Sequence, residues 1–151
     1  MTNTAVWIQP LTEHVPGSST RRTVHGSRCR TSQGLFAEWA ASLGFPDHFS
    51  PNWDAFNDCL NETVMTARHD KAASERPQAA LAVLVREAEE LLADEPSGVL
   101  AIFLSVLSQS AGQDSRNPRL LLLLDAAPDR LPQVTERMAE AGFPPHPAGN
   151  S

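Results

Sequence analysis

A chain of 151 residues with 12 basic and 18 acidic side chains carries a formal charge of −6, and its 41% hydrophobic and 20% charged content reads as one soluble globular domain with a real core. The negative balance argues against nucleic acid as a direct partner and allows a basic protein partner. No apolar run approaches the ~20 residues of a membrane helix. Met1 to Val15 is polar and interrupted by Pro10, so neither a membrane nor a signal peptide is expected, and a cytoplasmic location is.

The first twenty residues allow a short extended segment near Ala5 to Ile8, and Pro16 to Ser19 reads as a turn or linker. Arg22 to His25 is partly β-branched, ends at Gly26 and predicts a strand. Thr31 or Ser32 then caps a helix over 32–43, whose Leu35, Phe36, Trp39, Ala40 and Leu43 form an apolar stripe. Gly44 suits the left-handed stop, and Pro46 prevents continuation. Ser50 as cap and Pro51 at the first position predict a second helix over 51–62. Thr66 to Gln78 is polar and reads as a surface loop. Ala79 to Val85 is continuously apolar, as in a strand buried on both faces. Glu87 to Ala93 reads as a short helix with its acids outward and Leu91 and Leu92 inward. A further helix over 97–110 places Val99, Ile102, Phe103, Val106 and Leu107 toward the core. Five leucines, Leu120 to Leu124, fit a strand near 119–125 between Pro118 and Pro128. Leu131, Val134, Met138 and Ala141 predict a last helix over 131–141, stopped by Gly142. The order is that of an α/β domain with a small three-stranded parallel sheet, its first strand central.

The second helix concentrates the acid. Between Arg30 and Arg68 there is no Lys or Arg, while Glu38, Asp47, Asp54, Asp58 and Glu62 give that interval −5. At about 100° per residue, Phe56, Leu60 and Trp53 fall on one side; Asp54, Asn57, Asp58, Asn61 and Glu62 fall within an arc of about 140° on the other. Asp54, Asp58 and Glu62 are spaced i, i+4, i+8, a row of like charges that slightly destabilises a helix. Such a row is either a solvated face or a binding face. Trp53 lies at the boundary, as core or as rim. Cys29 and Cys59 read as small buried hydrophobes rather than a disulfide, and no Cys-x-x-Cys or His-x-x-x-His spacing supports zinc.

Phe45-Pro46-Asp47-His48-Phe49, followed by Asn52-x-Asp54-Ala55-x-x-Asp58-Cys59-Leu60, resembles the barstar family, intracellular inhibitors of the ribonuclease barnase. The likeness extends back to Val24-His25-Gly26 and forward to the strand near Leu122, over roughly residues 21 to 126. It implies a barstar-like domain over 21–143, with an N-terminal extension over 1–20 and a frayed tail over 144–151. It also implies inhibition by occupation of a ribonuclease active site, in a 1:1 complex. A ribonuclease cleft is cationic because it holds a polyanion, and carboxylates on a rigid helix can stand in for phosphates. Asp58 matches the aspartate that enters the active site, and Asp54 a second contact one turn earlier. The resemblance also has departures: His48 and Asn57 stand where the family carries an aromatic and a tryptophan, Thr63 near another tryptophan, and Ser105 near a late acidic contact. This pattern suits a guanyl-type microbial ribonuclease other than barnase.

The partner-binding residues expected are therefore Asp54, Asp58, His48, Asn57 and Glu62, with no cofactor and no metal. An enzyme is disfavoured, since no phosphate loop, metal motif or nucleophile elbow is present. The alternative is a non-inhibitory interaction module, or an immunity protein against a toxin that is not a ribonuclease.

Overall fold

The computed structural model describes residues 7–10, 18–71, 79–112 and 119–145. In chain order the elements are β1 (Ile8–Pro10), β2 (Ser18–His25), α1 (Ser32–Leu43), α2 (Trp53–Lys71), β3 (Ala79–Arg86), α3 (Ser97–Ala111), β4 (Leu120–Leu124) and α4 (Leu131–Glu140). The sheet is parallel throughout, in the order β1-β4-β3-β2. Among the described residues it has four strands rather than three, because Ile8 to Pro10 pair with Leu122 to Leu124.

The strand expected in the centre is at the edge. β2, β3 and β4 succeed one another in the same direction across the sheet, which leaves β3 inside. The side chains agree with this placement. Leu81 to Val85 are buried, whereas Arg21, Arg22 and Thr23 of β2 are exposed, as suits an edge strand. Leu81, Val83, Val85, Leu120, Leu122 and Leu124 point into the main core, and Ala82, Leu84, Leu121 and Leu123 form a separate buried cluster. Strict alternation along two leucine- and valine-rich strands produces that division.

α1 has the expected limits. The Thr31 hydroxyl accepts the Gly34 N–H at 3.1 Å, and Gly44 takes the left-handed conformation at φ 74°. β2 begins at Ser18, so Ser18 and Ser19 belong to a strand rather than a turn; Pro16 and Gly17 lie outside the described residues. α2 continues nine residues past Glu62, into the stretch read as a loop. Its stripe explains this: Phe56, Leu60, Val64 and Ala67 are all buried. Residues 72–78 of that expected loop lie outside the described residues, as do 146–151 of the expected tail.

The acidic stretch after β3 is a 3-10 turn, Ala88–Glu90, with Leu91 and Leu92 buried as expected. α3 is rotated relative to the sequence reading. Leu100, Phe103, Leu104, Leu107 and Ala111 are buried, Val99 and Val106 are half-buried, and Ile102 is 46% exposed. α1 and α2 pack on the β2–β3 side of the sheet, and α3 packs on α2 and β4. After β2 the chain must pass tightly under the backbone of Glu87, where only Gly26 fits. Val134 and Met138 anchor α4 in the core.

Candidate partner-binding face

The loop before α2 is fixed by its aromatic residues. Phe45 meets Phe49 at 5.2 Å and Phe56 at 5.9 Å, and Phe49 meets Phe36 at 6.2 Å, in edge contacts. With those rings anchored, Asp47 and His48 are left exposed between them. Asn52, rather than Ser50, caps the helix: its Oδ1 accepts the Ala55 N–H at 2.8 Å, and its carbonyl accepts the Phe56 N–H at 2.9 Å. Pro51 accordingly precedes the helix. Trp53 is half-buried and edge-on to Phe36 at 4.8 Å, so it belongs to the margin of the core.

From this start the helix presents Asp54, Asp58 and Glu62 outward, all three exposed, with Asn57 half-buried beside them. None of the three carboxylates has an ion pair among the described residues. Several acids elsewhere are engaged. Glu90 and Asp94 hold Arg30 at 2.9 and 3.0 Å, Glu95 accepts from the Ser32 N–H and hydroxyl at 2.7 and 2.8 Å, and Glu38 accepts the His25 N–H at 2.9 Å. Glu87 accepts the Ser27 hydroxyl at 2.9 Å. The α2 row is thus a set of charges that no described residue neutralises.

The five expected residues divide into two groups. Glu62 and His48 share the lining of a cavity of about 470 Å3 with Arg22, Cys59, Thr63 and Thr66 over an apolar floor; Asp54, Asn57 and Asp58 do not reach it. Arg22 and Thr66 were not legible as neighbours of this face. One comes from a strand far back in the chain, and the other sat in the expected loop. Cys59 is half-buried, and its thiol is pushed up from the ordinary value by burial first, then by Glu62 and Asp58. Cys29 is buried, and desolvation, helped by Glu38, pushes its thiol up to about 12. Among the described residues no group of three or more His, Cys, Asp or Glu could hold a metal, and no helix is long and apolar enough to cross a membrane.

The class defined by this fold is a small α/β domain with helices on a parallel sheet and one acidic helix turned outward. Residues 20–125, more than two thirds of the chain, match the barstar family, described as barnase inhibitors. The chain belongs to that family, which is one of inhibitors rather than enzymes. The match runs from β2 through β4 to Asp125, leaving β1 and α4 outside it. Among curated proteins, none matches the chain.

Proposed function

We propose that this protein inhibits a microbial guanyl-type ribonuclease, in a 1:1 complex, by setting the first turns of α2 and the His48 loop into its cationic cleft. The observation that carries the reading is the row of exposed carboxylates, unpaired among the described residues, on a capped, core-anchored helix. Asp58 would take the position of the scissile phosphate and Asp54 that of a neighbouring one, because both are presented on a preformed surface. His48 and Asn57 would adjust the fit at the sides, and their departure from the family's aromatic residues favours a target other than barnase. The same reading places the protein in the cytoplasm, where it would protect the cell that makes the enzyme.

The test titrates wild type and Asp58→Ala against a panel of secreted guanyl-type ribonucleases, barnase included, following RNA cleavage at two salt concentrations. Wild type should silence at least one enzyme at equimolar ratio, with association slowing as salt rises. Asp58→Ala should weaken that inhibition by several kcal/mol. Close charge pairs in the barnase–barstar complex couple by about 1.5–7 kcal/mol, a range carried over from that complex. Asp54→Ala should cost less. The melting temperature should hardly change, since Asp58 is exposed and its removal relieves like-charge repulsion. Equal inhibition by both proteins would refute phosphate mimicry at this residue; a collapse in melting temperature would assign it a structural role instead.

A further inference from the structure

The cavity beside the acidic row has a definite chemical polarity. Leu43, Phe45 and Ala67 give it an apolar floor, Glu62 stands on its α2 wall, and Arg22 of β2 lies on its lining as well. Glu62 is exposed, and no ion pair among the described residues holds it, Arg22 included. Glu62 is the acid on this lining, which His48 shares. An apolar floor with a free carboxylate at its margin suits a side chain with a long hydrocarbon stem and a cationic head.

We propose that this cavity is a second anchoring point for the partner, taking one arginine or lysine side chain with its stem on Leu43, Phe45 and Ala67 and its head at Glu62. This rests on the reading of the chain as an inhibitor of a basic ribonuclease. Glu62 then does not extend the phosphate-like pair formed by Asp54 and Asp58. It receives a residue from outside the catalytic cleft, at a position where ribonucleases are free to differ, and so contributes to the choice of target. Arg22, on the same lining, repels any entering cation and so favours the Glu62 side of the cavity for its head.

Two model compounds, N-acetyl-arginine amide and N-acetyl-lysine amide, test the cavity without a ribonuclease. Titrated into 15N-labelled protein, at least one should shift the backbone amides of Gly44, Thr63 and Thr66 in a saturable way. The shifts should vanish in Glu62→Gln and in Thr66→Trp, which fills the mouth from an exposed position and should leave melting unchanged. They should strengthen in Arg22→Gln and persist in Asp58→Ala. Against an inhibited ribonuclease, Glu62→Gln and Thr66→Trp should each weaken binding about tenfold. Absence of saturable shifts with both probes, or shifts that survive both cavity variants, would overturn the assignment. A ribonuclease equally inhibited by wild type and Asp58→Ala would instead overturn the phosphate-mimic reading, and the probe titration would still decide the cavity.

Discussion

Asn52 sets the geometry on which the acidic face depends. By accepting the Ala55 N–H it fixes where α2 starts, and so the direction in which Asp54 and Asp58 point. Asn52→Ala should lower stability by about 1 kcal/mol, the usual cost of a lost cap, while Asn52→Asp should retain most of it. Urea unfolding measures this, and unchanged midpoints in Asn52→Ala would deny the cap its role. The sequence alone favoured Ser50 followed by Pro51, an equally good start in chemical type. What decides between them is which oxygen reaches a free N–H, and that follows from Phe45 and Phe49 docking on Phe36 and Phe56. The acids themselves were legible because their i, i+4 spacing needs no tertiary information. Arg22 was not, because its place on the same cavity lining as Glu62 is set by the packing of α2 against β2.

At the scale of elements, α1 and the lead-in to α3 are tied by one carboxylate. Glu95 accepts from both the N–H and the hydroxyl of Ser32 in the first turn of α1, and those two bonds, the backbone one foremost, hold its pKa below the ordinary glutamate value of 4.5. A folded pKa below the unfolded one means that the contribution is present above the unfolded value and is lost as pH falls through the folded one. The stability difference between wild type and Glu95→Gln should therefore be largest near neutrality and shrink on acidification below about pH 4.5. Urea midpoints at neutral and acid pH check this; a difference independent of pH would remove the ionic contribution. Helix limits were legible where a stripe and a stop coincide, as in α1. The phase of α3 was not, because Val99, Leu100, Ile102, Phe103 and Leu104 leave almost no polar side to orient it.

For the whole molecule, the question is where the folded unit begins. An independent domain starting at residue 21 would lose little on removal of residues 1–10. Trp7 and Ile8, however, are buried in the main core, and Ile8 to Pro10 complete the sheet. Deletion of residues 1–10 should therefore cost several kcal/mol, at about 1.5–3 kcal/mol for each large apolar side chain exposed. A urea midpoint equal to that of the full chain would restore the shorter domain. The sequence allowed an extended segment near Ala5 to Ile8, which overlaps this strand at Ile8, but three residues ending in proline carry too little β signal to place it in the sheet. Trp7 also meets Phe143 edge-on at 5.9 Å, so segments on both flanks of the family-matched region hold one another. This contact has a consequence for time rather than for energy. β2, β3 and β4 join in sequential order, but Ile8 finds Leu122 only after more than a hundred intervening residues. β1 and Phe143 should therefore act as a latch that shuts after the sheet has assembled. Such a latch governs how slowly the molecule comes apart: without it, unfolding should quicken in stopped-flow measurements while the refolding rate stays nearly the same.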